Sequence, residues 1–275
     1  MLKANLRDPR EILPEITWDK IAPPYPDYPY FHGAEAYPFR PHASTCDMVN
    51  AWWLIEASTL AYAEEDFARE KFLYAGLSEV AFFSGASTQC YVAHNDDFLM
   101  LVFRGTEIRQ RPGQSDFGNI IADLATDADF RLVDSGQGGK VHRGFKEALD
   151  EVWEKAGLLD YLRSKDNGGR TIWFTGHSLG AALATLAAPR YGNLRGLYTY
   201  GSPRVGDRDF KKEFLIKTYR FKNHHDPVTR VPPPILRLLR NRVEGEGRGN
   251  AVPPPSPGPL SPKLIATVSR CLNPS

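Results

Sequence analysis

Between residues 46 and 234 the apolar positions recur with the two periods of regular structure, and outside those bounds the periodicity is poor. Asp47 to Tyr62 reads as a helix with Trp52, Ile55 and Leu60 towards one face, although their phase is imperfect. A second helix is predicted from Glu64 to Ala75, stopped by Gly76. Three short β-prone runs follow, Glu79 to Phe83, Gln89 to Ala93 and Phe98 to Phe103. Asn95-Asp96-Asp97 turns the chain before the last of them, so an antiparallel edge is expected there. Ile120 to Phe130 resumes apolar spacing through Leu124. Residues 134–140 read as a glycine-rich loop, and Gly144 to Arg163 carries a helical pattern of Phe145, Leu149, Val152, Leu158 and Leu162. Ile172 to Phe174 is apolar and β-prone, and Ala181 to Ala188 is a run of alanine and leucine with high helix propensity. Leu194 to Tyr200 and Ile216 to Phe221 read as further strands, and Asp207 opens a short helix as its cap. From about residue 98 onward, strands alternate with helices. That order predicts an α/β sheet, mostly parallel and covered on both faces.

The flanks differ. In residues 1–45, Pro23, Pro24, Pro26, Pro29, Pro38 and Pro41 break any helix, while Tyr25, Tyr28, Tyr30, Phe31, Tyr37 and Phe39 offer anchors. An arm laid over the domain surface is expected. Residues 235–275 are rich in proline and arginine, with six basic side chains against two acidic ones, and only Ile235 to Leu239 and Leu264 to Val268 look orderable. The expected organisation is therefore an N-terminal arm (1–45), one α/β domain (46–234) and an atypical tail (235–275).

Composition narrows the function classes. The 275 residues are 42 % hydrophobic and 24 % charged with a net charge of +1, which offers no electrostatic footprint for nucleic acid. Cys46, Cys90 and Cys271 lie far apart without a paired spacing, so redox and metal motifs are absent; one disulfide with one thiol left over is the alternative. No apolar run near the N-terminus reads as a signal peptide or a membrane span. A cytoplasmic chain, one secreted without a leader and one already cleaved all fit. Neither a metal nor an organic cofactor is expected, and nothing in the sequence sets an oligomeric state.

The chemistry concentrates at Gly176-His177-Ser178-Leu179-Gly180, between the apolar strand and the alanine-rich helix. A strand that turns directly into a helix around Gly-x-Ser-x-Gly is the signature of a nucleophile elbow. Gly176 and Gly180 leave room for strand and helix to approach, and Ser178 would stand at the sheet edge with its Oγ presented. Amides at the start of the helix would face a developing negative charge. A tight turn with a buried or capping serine is the plainer alternative.

Further pieces occur in order: Thr88-Gln89-Cys90-Tyr91-Val92-Ala93, Val102-Phe103-Arg104-Gly105-Thr106-Glu107, Asp123-Leu124 and Val141-His142-Arg143-Gly144-Phe145. After the elbow come Gly201-Ser202-Pro203-Arg204-Val205-Gly206 and Asp226-Pro227-Val228 before Pro232-Pro233. Together they resemble the fungal-type, or class 3, triacylglycerol lipase family over about residues 47–234. The resemblance implies an α/β-hydrolase fold: a mostly parallel central sheet flanked by helices, with antiparallel edge strands. It also implies hydrolysis of carboxylic esters, chiefly acylglycerols, in lipid degradation. Ser178 matches the family nucleophile, Asp226 its acid, and Thr106 its oxyanion residue, with the amide of Leu179 as second donor. His142 matches a family histidine of structural rather than catalytic type, at the surface or in a hydrogen bond, and His177 reads as a packing residue, because side chains flanking an elbow serine point away from the substrate. The segment from Glu107 to Ile121 matches a lid whose apolar members are Phe117, Ile120 and Ile121, in transient contact with a lipid interface; a plain surface loop is the alternative.

One departure falls on the chemistry. The family places its base histidine after the acid, whereas His32, His42, His94, His142, His177, His224 and His225 all precede Asp226. A tail replaced beyond about Pro234, by truncation or by a shifted reading frame, a substitute base at His224 or His225, and a non-catalytic relative are three readings left open. A side chain one or two residues from Asp226 is poorly placed to be oriented by it and also to reach Ser178. The functions in competition are therefore a lipase or esterase, a catalytically impaired lipase-like module for lipid binding or interaction, and a phospholipase or feruloyl-type esterase on the same fold.

Overall fold

The computed structural model describes residues 26–105 and 131–222. A six-stranded sheet organises them. Its strands are β1 (Glu79–Ser84), β2 (Gln89–His94), β3 (Phe98–Phe103), β6 (Thr171–His177), β7 (Gly196–Tyr200) and β8 (Thr218–Phe221), in the spatial order β1-β2-β3-β6-β7-β8. The pairings β1–β2 and β2–β3 are antiparallel; β3–β6, β6–β7 and β7–β8 are parallel. The expected mostly parallel sheet with an antiparallel edge is therefore present.

The alternation along the strands sorts side chains to two cores. In β3, Phe98, Met100 and Val102 join one cluster and Leu99, Leu101 and Phe103 the other, because successive side chains leave a strand on opposite faces. Trp173 of β6 joins the first, and Ile172 and Phe174 the second. The first face is covered by α1 (Met48–Leu60) and α2 (Glu65–Tyr74). The second is covered by α3 (Arg143–Trp153), α4 (Leu158–Lys165) and α5 (Leu179–Tyr191). A short α6 (Arg208–Glu213) follows β7, capped by the Asp207 carboxylate, which accepts from the amides of Asp209 and Phe210.

Helix α1 is buried from Val49 to Leu60, which explains the imperfect phase of its apolar positions: it has no water-facing side to mark. Residues 26–46 cover its outer surface. Phe31 packs against Trp52 and Trp53, Phe39 stacks on Phe98 with ring centroids 4.2 Å apart, and the Trp53 indole donates to the Tyr37 carbonyl at 2.8 Å. Glu56 is buried on the same side. Its carboxylate accepts from the Tyr28 hydroxyl at 2.7 Å and from the Phe31 amide at 3.1 Å, where Phe31 takes a left-handed φ of 59°. Burial pushes the Glu56 carboxyl up to about 7, against the pull of those two hydrogen bonds.

Three expectations need correction. The helical pattern from Gly144 to Arg163 is two helices, broken where Gly157 adopts a left-handed φ of 74° that only glycine takes at low cost. Residues 134–140 are not simply a loop, because β4 (Leu132–Asp134) and β5 (Lys140–His142) pair antiparallel across the tip. Three-residue strands carry too little alternation to be read from sequence. Cys46 and Cys90 are not joined to each other in a disulfide, and Cys271 lies outside the described residues. Among the described residues no helix is long and apolar enough to cross a membrane.

The start of α1 yields a test. Asp47 caps it through the amides of Val49 and Asn50 and also pairs with Arg40 at 2.8 Å. Asp47→Ala is expected to lower unfolding free energy by about 1 kcal/mol, whereas Asp47→Asn keeps the cap and loses only the exposed ion pair, at about 0.5 kcal/mol or less. Urea denaturation of the two variants separates them.

Candidate active site

The parallel strands end together. Phe103 of β3 is level with Gly176 of β6, His177 with Tyr200 of β7, and Tyr200 with Phe221 of β8. Ser178 follows β6 at this carboxyl edge. Its amide donates to the Tyr200 carbonyl at 2.9 Å, which extends the β6–β7 ladder by one residue. Its backbone then takes φ 55° and ψ −123°, and α5 begins at the next residue. Phe31 and Ser178 are the non-glycine residues with positive φ among those described. Such a conformation costs on the order of 1–3 kcal/mol and persists only where the surroundings impose it.

What imposes it is backbone packing. A Cβ at Gly176 would collide with the backbone of Gly180, and a Cβ at Gly180 with the carbonyl of Phe103. The first turn of α5 therefore rests directly on the ends of β6 and β3, with no side chain between. The Ser178 carbonyl accepts from the amide of Ala181 at 3.1 Å, while its side chain makes no capping hydrogen bond. The amide of Leu179, at the first position of the helix, has no acceptor within the helix and sits at the positive end of its dipole. Ser178 is 8 % exposed. The corner thus combines a strained serine, a helix N-terminus and close glycine contacts.

Gly105 completes the described part. It is buried, and a Cβ there would lie 2.8 Å from the His177 carbonyl and would overlap the hydroxyl of Tyr62. That hydroxyl is 3.0 Å from Nδ1 of His177. His177 is half-buried, and the packing around its ring removes hydration and pulls its pKa down to about 4. His142, expected at the surface or in a hydrogen bond, is buried with its ring 4.6 Å from that of Phe145. Tyr62 carried no signal in the sequence: it lies between Ala61 and Ala63, far along the chain from both its neighbours in space.

Of the expected site residues, the structure brings Ser178, Leu179, Gly176 and Gly180 together in one corner. Thr106, Asp226, His224, His225, Phe117, Ile120 and Ile121 lie outside the described residues. Among the described residues no group of three or more His, Cys, Asp and Glu is placed to hold a metal ion.

A parallel sheet covered on both faces, with a strand–serine–helix corner at its carboxyl edge, defines an α/β-hydrolase. Comparison with known proteins narrows this. Residues 100–235 match the family described as Lipase (class 3). The secreted mono- and diacylglycerol lipase 1 of Fusarium solani is 43 % identical over 115 residues, which are 38 % of this chain and 34 % of that one. A lipase of Rhizomucor miehei is 34 % identical over 169 residues, 55 % of this chain and 43 % of its own. A solved fungal lipase–inhibitor complex is 27 % identical, covers 71 % of this chain and 79 % of its own, and superposes with a TM-score of 0.52. These matches support assignment of this chain to the class 3 lipase family, with the family match falling on residues 100–235. It spans between about a third and under half of the length of those two curated relatives.

Two measurements follow. Gly180→Ala forces α5 off the end of β3 and is expected to cost about 2–3 kcal/mol, read by thermal or urea unfolding. For His177, the folded pKa lies below the unfolded 6.5, so the unfolded chain takes up a proton that the folded chain refuses. Stability is therefore full above about pH 6.5 and falls as the pH drops towards 4, by at most about 3 kcal/mol from this group. In an NMR titration, the His177 ring resonances are expected to stay flat from pH 8 to 5.

Proposed function

We propose that this chain hydrolyses carboxylic esters of the acylglycerol type, with Ser178 as nucleophile and an acyl-enzyme intermediate. The observation that carries the reading is the backbone of Ser178, at φ 55° and ψ −123°, at the corner between β6 and α5. In this mechanism Oγ attacks the ester carbonyl carbon and gives its proton to a base. The tetrahedral oxyanion is received by the amides of Leu179 and Thr106. Support for the second donor is indirect: Gly105, its predecessor in the chain, rests on the carbonyl of the residue before Ser178. Collapse of the intermediate expels the alcohol, which takes up the proton, and water then releases the acid by the same route.

Asp226 is proposed as the acid. It follows Phe221, the last residue of β8, by five residues, a reach of roughly 16 Å. The end of β8 lies two strand spacings, about 10 Å, from that of β6. The chain is therefore long enough to bring a carboxylate to the edge that holds Ser178. His224 and His225 are proposed as substitute bases. Residues 107–121, with Phe117, Ile120 and Ile121, are proposed as a lid over a lipid substrate. Because the Fusarium solani relative is named for mono- and diacylglycerols, partial glycerides are the first substrates to try.

A second reading is favoured by one observation, that none of the seven histidines follows Asp226. On that reading the chain is a catalytically impaired relative that binds lipid, with at most the residual rate that an oxyanion hole and a binding cleft can sustain. The experiment uses a serine-directed phosphonate and p-nitrophenyl esters. An ester hydrolase is labelled at Ser178, and Ser178→Ala removes the label and lowers turnover about 1000-fold or more. His224→Ala and His225→Ala, made singly, identify a substitute base by a comparable loss. A chain that takes no label and cleaves no ester leaves the second reading standing.

A further inference from the structure

The hydroxyl of Tyr62 occupies the space that a side chain at position 105 would fill, and it lies 3.0 Å from Nδ1 of His177. It thus contacts Gly105, which leads to Thr106, and the side chain of His177, which leads to Ser178. We propose that Tyr62 is a positioning residue for ester hydrolysis, setting the spacing between the strand ends that carry the oxyanion donor and the nucleophile. The inference rests on the hydrolase reading above.

Three features make the hydroxyl a rigid spacer. First, Tyr62 follows directly on the C-cap of α1, Ala61, and that helix is tied to the strand that bears the serine: Ser58 Oγ lies 3.0 Å from Thr175 Oγ1 of β6. The backbone around it is held as well, with the Tyr62 amide donating to the Thr59 carbonyl at 3.3 Å and the Tyr91 hydroxyl to the Ala63 carbonyl at 3.2 Å. Second, the residue is 8 % exposed, so water does not compete freely for the phenol. Third, burial keeps the imidazole neutral, which leaves Nδ1 able to accept from the phenol in one tautomer and to donate to it in the other. A protonated ring could only donate. Glycine at position 105 is then required by this contact alone: any larger residue evicts the hydroxyl.

A group that only fills the core would alter stability and leave chemistry alone, whereas a spacer between nucleophile and oxyanion donor acts on the transition state. Tyr62→Phe keeps the ring and removes the contact. In the full chain, with p-nitrophenyl butyrate and a serine-directed phosphonate, Tyr62→Phe is expected to lower kcat and the phosphonate inactivation rate about tenfold or more, with KM within about twofold. His177→Leu should lose a similar factor. His177→Asn, whose Oδ1 can stand where Nδ1 does, should recover part of it, and Tyr62→Phe/His177→Leu should lose little more than either single change. The histidine pair carries the test if Tyr62→Phe does not fold. Labelling of Tyr62→Phe at the unaltered rate, or equal rates in His177→Asn and His177→Leu, overturns the spacer while the hydrolase reading stands. An unaltered chain that takes no label overturns both.

Discussion

Everything at the carboxyl edge depends on one contact, the seating of the first turn of α5 on the bare backbone of β6 and β3. Side chains normally hold a helix about 10 Å from a sheet. Here Gly176 and Gly180 remove them, and the helix closes onto the strand ends at a single point. The geometry leaves one residue, Ser178, to reverse the chain between strand and helix, and the positive φ follows from that restriction. The strain is localised because its neighbours are fixed: the amide of Ser178 is tied to β7 and its carbonyl to α5. A serine in this position cannot relax without undoing two ladders at once.

The rest of the fold can be read as support for that contact. The second core, with Phe103, Phe174, Leu183 and Ala187, presses α5 onto the sheet from one side. The first core, with α1 under residues 26–46, backs the same strands from the other. Helix α1 is enclosed on all sides, and the cost of enclosing Glu56 is reduced by Tyr28 and Phe31 rather than by a cation. The residues preceding α1 therefore form part of the structure of the domain over the described segment. Tyr30, Phe31 and Phe39 are all buried.

How much of this was legible depends on the range of the interactions. Strand β3 could be read to the residue, because six consecutive apolar side chains between a turn and Arg104-Gly105 suit a strand buried on both faces. The corner at Ser178 could be read because both glycines and both flanking elements lie within a short stretch of sequence. Asp207 as a helix cap was equally local. The break at Gly157 was obscured because apolar spacing continues across it, and β4 and β5 are too short to show a period. The phase of α1 was imperfect for the opposite reason: its outer face is covered by chain from before the helix, which no helical period encodes. Tyr62 was hidden altogether, since its contacts lie 43 and 115 residues away and a tyrosine between alanines reads as ordinary helix end.

The electrostatics of the corner run in one direction. The N-terminus of α5 presents partial positive charge at Ser178, suited to an anion that forms only during reaction. A full positive charge on the adjacent imidazole would stabilise that anion too, but it would be present before the reaction and would have to be held in a poorly hydrated place. Burial prevents this, because the His177 ring stays neutral over the range in which an imidazole base would operate. The same burial disqualifies His177 as the base. Its Nδ1 is engaged by Tyr62, and a ring with a pKa of about 4 is a weak proton acceptor near neutrality.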